Sequence, residues 1–282
     1  MKYRECYEEG RRILAEAGIE EADLDARLLL EHVCHTNRND LLVHGDRDVD
    51  NYQKKEYLQW IEKRSEHIPL QYLTGTQDFM GLTFKVSDKV LIPRQDTEIL
   101  VEEVLKELHD GMRVLDMCTG SGCILISLLQ YSNDCNGVGA DSSEDALKVA
   151  RENAKQILGE SRGQDVSLIH SDLFEQVEGK FDIIVSNPPY IRTEVIDTLM
   201  PEVKEHEPFG ALDGKADGLY FYDKIIKECR GFLQRGGMLF FEIGYDQAAD
   251  VSRMMEEVGF QEINVVQDYA GLDRVVYGTY LG

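Results

Sequence analysis

From Gly111 onward the chain alternates short apolar, β-branched runs with longer stretches of helical spacing, and this alternation restricts the fold more than any other feature. Strands are expected at 113–116, 137–141, 166–170, 181–186, 238–243 and 262–266, and helices at 122–130, 144–157, 219–233 and 247–258. Parallel neighbours need a crossover of helix length between them, so the pattern predicts an α/β, mainly parallel, doubly wound sheet covered on both faces. A last strand at 274–279 is expected to run antiparallel at the edge. In open sheets of this kind ligands bind beyond the carboxyl ends of the strands. The residues just past each strand are therefore where chemistry is to be sought.

The first such turn reads Asp116-Met117-Cys118-Thr119-Gly120-Ser121-Gly122. Gly120 and Gly122 let backbone pass close to a ligand. The third glycine of a dinucleotide fingerprint is missing, since position 125 is Leu125, and an acid at the strand end repels a pyrophosphate. Asp116 suits an ammonium group instead, held directly or through water. The second strand ends at Asp141, placed to accept two ribose hydroxyls. Just past the third come Asp172 and Leu173, an acceptor for an adenine amine and an apolar cover for its ring. Each aspartate alone could be a helix N-cap. All three at successive strand ends describe one ligand with an amino acid, a ribose and an adenine, which is S-adenosylmethionine. The candidate cofactor residues are Asp116, Cys118, Thr119, Gly120, Ser121, Gly122, Asp141, Asp172, Leu173 and Asn187.

The fourth strand runs into Asn187-Pro188-Pro189-Tyr190. Two prolines end the strand and stiffen the loop beyond it. The amide of Asn187 and the carbonyl of Pro188 can each accept one hydrogen of a planar NH2 group, and Tyr190 can stack on its face. Asn187, Pro188, Pro189 and Tyr190 are the candidate substrate contacts, with Asn187, Pro188 and Tyr190 as the catalytic set. A plain Pro-rich turn is the competing reading of this tetrapeptide.

At 282 residues the chain has room for two domains, and a hydrophobic content of 43% is enough for packed cores. A formal net charge of −23 argues against affinity built on phosphate neutralisation, and it suits a basic protein partner. None of the six cysteines forms a C-x-x-C pair, and no Cys/His cluster has metal-ligand spacing, so no metal is expected. No apolar run approaches a membrane span and no signal-peptide h-region opens the sequence, so a cytoplasmic protein with reduced thiols is expected.

Residues 1–68 read as helical, with Asp50 as an N-cap and 40–43 as a turn. They make either a stabilising bundle or a docking module. Residues 69–92 read as a β-hairpin linker, and 93–282 as the catalytic domain. Arg94 and Glu98 read as a structural ion pair or as neighbours of a substrate. The acids of 191–218 either grip a substrate or face solvent.

The run Asp-x-x-x-Gly-x-Gly, with Asn-Pro-Pro-Tyr after it, resembles the Rossmann-like class I methyltransferases that alkylate planar amines. Pro69–Gly75, Leu91–Glu98, Pro201–Val203, Glu242-Ile243-Gly244 and Tyr269–Val276 resemble segments of one group, the HemK/PrmC release-factor glutamine methyltransferases. Gln95 stands where that family commonly has proline. The resemblance covers nearly the whole chain and is weakest over 1–65. It implies methyl transfer from S-adenosylmethionine to the amide nitrogen of the glutamine in the Gly-Gly-Gln motif of a class I peptide chain release factor, by a monomer and without direct contact with nucleic acid. A nucleic-acid amine methyltransferase shares the same tetrapeptide chemistry and is the alternative.

Overall fold

The computed structural model describes residues 1–282, except for the side chain of Ser161. The chain divides into two units: Met1–Gly75 with Met200–His206, and Thr76–Leu199 with Glu207–Gly282.

The first unit is helical, with helices Tyr3–Glu16, Ala22–Cys34, Arg38–Val43, Asn51–Ser65 and Leu70–Thr74. Tyr3, Cys6, Gly10 and Leu14 recur on one face of the first helix and are buried, as helical spacing requires. They join Leu29, Leu30, Tyr57 and Ile61 in one apolar core. The Tyr57 hydroxyl donates to the carbonyl of Ala26 at 3.2 Å, so a fully buried phenol keeps its hydrogen bond. Asp50 caps its helix as expected, accepting from Tyr52 N and Gln53 N at 2.8 and 2.9 Å. The expected turn at 40–43 is part of a short helix instead, because Asn37 accepts from Asp40 N and starts one. A buried ion pair crosses the unit: Arg64 Nε donates to Asp25 Oδ2 at 2.7 Å. The same guanidinium donates to Glu202 Oε1 at 3.1 Å, anchoring the returning segment 200–206.

The second unit opens with the hairpin β1 (Thr76–Phe79) and β2 (Leu82–Lys85). The hairpin is not a linker. Phe79 and Phe84 are buried in this unit's own core, while residues 70–74 form a helix of the first unit. Among the described residues the main sheet has seven strands: β3 (Arg113–Met117), β4 (Asn136–Asp141), β5 (Val166–His170), β6 (Phe181–Ser186), β7 (Leu233–Glu242), β8 (Phe260–Gln267) and β9 (Asp273–Tyr280). Their order is β5-β4-β3-β6-β7-β9-β8. The first five pair in parallel, and β9 is antiparallel to both β7 and β8. The last strand is therefore antiparallel, as expected, but it is not at the edge. Asp268 accepts from Ala270 N and Leu272 N, turning the chain so that β9 folds back between β7 and β8. The expected helix at 219–233 stops at Cys229, because Leu233 already pairs with Phe181 as the start of β7.

Side-chain parity assigns the two faces of the sheet. Leu115, Ile184, Leu239 and Val276 pack against the helices Tyr220–Cys229 and Ala248–Glu257. Val114, Ile183, Val185, Phe240 and Val275 pack against Asp96–Glu107, Cys123–Tyr131 and Glu144–Arg162. Among the described residues no helix is long and apolar enough to cross a membrane.

Candidate active site

Strand order reverses between β3 and β6, and their register pairs Met117 with Ser186. The Ser186 hydroxyl donates to the Met117 carbonyl at 2.6 Å. The next loops, 118–122 and 187–190, therefore leave the sheet side by side at the switch point where doubly wound folds bind ligands. Registry of β4 with β3 and β5 brings Asp141 and the turn after His170 to the same edge.

A cavity of about 320 Å³ lies there. Of the residues expected from sequence, Cys118, Gly120, Asp141, Asp172, Leu173, Asn187 and Pro189 line it. Asp116, Thr119, Ser121, Gly122, Pro188 and Tyr190 are not part of that lining. Sequence reasoning missed the opposite wall, formed by Lys89–Leu91, Pro208, Gly210, Ala211 and Phe221. Leu91, Pro208 and Ala211 stand in or beside stretches that resemble the family, but none of these residues carries a role assigned from sequence.

Asp116 is fully buried and is not among the residues that line the cavity. It shares the parity of Val114 and so faces the helix Cys123–Tyr131. There its Oδ2 accepts from the Thr119 hydroxyl at 2.6 Å and from Leu125 N, in the first helical turn, at 3.3 Å. Its Oδ1 has no partner. Burial pushes its carboxyl from an ordinary 3.8 up to about 7, against the pull of those two donors. Asp141 accepts from Ser143 N at 2.8 Å through Oδ1 and from Gly120 N at 2.9 Å through Oδ2. Each oxygen keeps a second lone pair, so two hydroxyls can still be accepted. Burial raises this carboxyl too, opposed by the same amides. The Asp172 carboxylate is exposed, and among the described residues none hydrogen-bonds to it. Cys118 and Leu173 both hold positive φ, 63° and 48°. Such strain in non-glycine residues costs about 1–3 kcal/mol each and here falls on two walls of one cavity.

The Asn-Pro-Pro-Tyr loop is held from behind. Pro188 and Pro189 are buried. Asn187 Nδ2 donates to Thr97 Oγ1 at 3.3 Å, which leaves Oδ1 as the free branch of the amide. The Tyr190 hydroxyl donates to Glu242 Oε1 at 3.2 Å, and burial raises its own pKa. Gln247 Nε2 donates to the carbonyls of Tyr190 and Gly218, at 3.1 and 3.2 Å. Beyond Tyr190 the chain is stapled to 212–215 by Ile191 N to Leu212 O, Gly214 N to Ile191 O and Thr193 N to Lys215 O. Thr97, Glu242 and Gln247 were not foreseen as supports. Thr97 and Glu242 lay within segments that carried the family resemblance without an assigned role.

Arg94 and Glu98 do not pair. Arg94 reaches Glu207, next to Pro208 of the cavity wall, and Glu98 accepts from Met80 N at 2.6 Å. Several loop acids have internal partners: Asp213 takes Thr193 and Lys215, and Asp217 accepts from Leu219 N. Among the described residues no group of three or more His, Cys, Asp or Glu is placed to hold a metal ion.

A reversing parallel sheet with a cavity at its switch point, three aspartates behind or around it and Asn-Pro-Pro-Tyr at its mouth defines a Rossmann-like methyltransferase. Comparison with known proteins agrees. Residues 5–75 match the PrmC N-terminal domain and 94–203 the methyltransferase small domain. The release factor glutamine methyltransferase of Clostridium botulinum is 41% identical over 273 residues, 95% of each chain. That of Clostridium acetobutylicum is 40% identical over 281 residues, 98% of each. In fold, a methyltransferase from Pyrococcus furiosus covers 72% of this chain and 91% of its own, with a TM-score of 0.52 at 18% identity. The hMettl16 catalytic domain covers 77% and 82%, with a TM-score of 0.59 at 14% identity. The chain belongs to the release factor glutamine methyltransferase family and is a methyltransferase.

Proposed function

We propose that the cavity binds S-adenosylmethionine and that Asn187 presents to it the side-chain amide of the glutamine in the Gly-Gly-Gln motif of a class I peptide chain release factor. The observation that carries this reading is the polarity of Asn187. Its Nδ2 is committed to Thr97, so the branch left for a guest is an acceptor, as a planar NH2 requires. A cavity lined by Asp141 and Asp172, with Lys89 as its one lysine, suits a cationic sulfonium ligand better than a pyrophosphate.

When bound, S-adenosylmethionine would supply an electrophilic methyl group, its S–CH3 bond breaking as the N–C bond forms and leaving the neutral thioether. An amide nitrogen is a weak nucleophile because its lone pair is delocalised into the carbonyl. Asn187 Oδ1 and the Pro188 carbonyl each accept one N–H of the substrate amide. They fix the direction of its nitrogen and stabilise the positive charge that grows on it as the new N–C bond forms. Tyr190, its hydroxyl tied to Glu242, offers a ring already locked in place for the flat amide to pack against. The methylated nitrogen is strongly acidic and loses its proton to water without a strong base. Asp141 holds the ribose hydroxyls, and Asp172 with Leu173 the adenine. Asp116 acts by fixing the turn 118–122.

The remaining assignments belong to the same reading: a cytoplasmic monomer whose helical unit docks the release factor, with no direct hold on nucleic acid. The test is methyl transfer from labelled donor, with purified release factor and a DNA or RNA oligonucleotide offered separately. Label on the protein supports the reading. Label on the oligonucleotide alone overturns the substrate and keeps the amine chemistry.

A further inference from the structure

We propose that Arg94 and Glu207 are positioning residues for the methyl donor: their ion pair clasps together the two loop segments that form the far wall of the cavity. The proposal rests on the reading above that this cavity binds S-adenosylmethionine. The two walls are built differently. Asp141, Asp172 and Leu173 stand at or just past the ends of β4 and β5, where the register of the sheet fixes the backbone. The far wall belongs to no strand. Lys89, Val90 and Leu91 lie in the stretch between β2 and the helix Asp96–Glu107. Pro208, Gly210 and Ala211 lie in or beside a helix of four residues, Phe209–Leu212. A wall made of loops must be ordered when the ligand arrives unless something orders it beforehand, and that ordering costs affinity.

Arg94 and Glu207 supply that order. Arg94 follows Leu91 closely in the chain, and Glu207 directly precedes Pro208. They are 113 positions apart, yet the Arg94 guanidinium donates to Glu207 Oε1. The Glu207 side chain is 1% exposed and that of Arg94 39%, so a partly exposed cation reaches in to a buried carboxylate. Glu207 Oε2 has no hydrogen-bond partner, which leaves the pairing of this acid to Oε1. Burial pushes the carboxyl up, and the charge of Arg94 opposes that rise. The main chain of Arg94 is tied as well. Its carbonyl accepts from Thr97 N at 3.1 Å, in the first turn of the helix Asp96–Glu107. Thr97 in turn holds Asn187. The clasp therefore joins both segments of the far wall to the helix that anchors the Asn-Pro-Pro-Tyr loop.

The test uses the full chain and compares Arg94→Met, Arg94→Lys and the double variant Arg94→Met with Glu207→Met. It reads calorimetric binding of S-adenosylmethionine, steady-state methyl transfer and thermal unfolding. Arg94→Met keeps an unbranched stem, cuts the tie and leaves Glu207 buried without a partner, so its unfolding midpoint should fall. The double variant removes the stranded charge, so its midpoint should recover. It has no tie either, and its donor Kd should stay raised by about tenfold, as in Arg94→Met, the scale of a wall that must be ordered on binding. The loss should fall on KM for the donor, with kcat at saturating donor moving by less than about threefold, because the wall binds and does not react. Arg94→Lys keeps the charge and a donor, and should recover most of the affinity. A donor Kd that returns to normal with the midpoint in the double variant would reduce the pair to a structural support and overturn the proposal. So would Arg94→Lys as impaired as Arg94→Met, or a loss confined to kcat. The wild type separates the two levels. If it does not bind S-adenosylmethionine, the reading of the cavity fails and the clasp with it, whereas a binding wild type beside an equally tight Arg94→Met sinks the clasp alone.

Discussion

Gln247 Nε2 donates to the main-chain carbonyl of Tyr190 at 3.1 Å, and the rest of its amide is equally committed. It donates to Gly218 O at 3.2 Å, while its Oε1 accepts from Gly244 N at 2.9 Å and lies 3.4 Å from the Tyr222 hydroxyl. At 4% exposure it is a buried clamp joining the helix Ala248–Glu257 to the Asn-Pro-Pro-Tyr loop. Gln247→Leu strips donors from two carbonyls. It should cost about 2–4 kcal/mol in urea unfolding, since each buried group left unpaired costs about 1–3 kcal/mol. Turnover should fall with it. Unchanged stability would show that the clamp carries no weight.

Gly218 presses on the same carbonyl. Its φ is 76°, and an added Cβ would sit 2.4 Å from Tyr190 O. The loop cannot keep both the backbone angle and the contact, so Gly218→Ala should displace Tyr190 and cut turnover at least about tenfold, the scale of a small misplacement near reacting atoms. Gly163 is the control, because its φ is −61° and nothing lies within 4 Å of its missing Cβ. Gly163→Ala should be silent. Equal activities of the two variants would contradict the packing argument.

Asp116 gives stability a pH dependence of defined sign. Its carboxyl is near 7 in the fold against 3.8 ordinarily. Below pH 4 both states are protonated and the group costs nothing. Between about pH 4 and 7 the unfolded chain releases its proton first, so the contribution to stability falls as pH rises and levels off above about 7. The full span is about 4 kcal/mol, from roughly three units at 1.36 kcal/mol each. Asp116→Asn keeps an acceptor and removes the charge. Urea unfolding from pH 4 to 8 should show the variant gaining on the wild type as pH rises. Parallel curves would refute the assignment.

In the helical unit Arg64 is 7% exposed and bridges Asp25, itself 5% exposed, to Glu202. Removing one partner of a buried pair leaves an uncompensated charge, worth about 3–5 kcal/mol. Arg64→Ala should lower the thermal midpoint of the helical unit while leaving donor binding intact, as calorimetry of unfolding and binding will show. A midpoint equal to that of the wild type would mean that the pair is not a net support.

Much of the second unit was legible because its signals are local. Apolar runs bounded by turn residues gave the strands, and residues at their carboxyl ends gave the cavity wall from Cys118 to Asn187. What was not legible depends on tertiary placement. Asp116 stands at a strand end like Asp141, but side-chain parity turns it under the loop. Nothing in the order of residues says that β9 inserts between β7 and β8. Nor does it say that Thr97, Glu242 and Gln247, dispersed along 151 residues (247 − 97 + 1), converge behind four consecutive ones. The hairpin read as a linker because its composition changes at Ile68. The actual break is at Gly75, and Phe79 and Phe84 pack inward.

The most direct test of the central claim is single-turnover methyl transfer from labelled S-adenosylmethionine to a purified class I release factor, with peptide mapping, in the wild type and in Asn187→Ala. The account predicts label on the Gly-Gly-Gln glutamine with the wild type, and none with a variant that still binds the donor. Label elsewhere, or equal labelling by the variant, would contradict it.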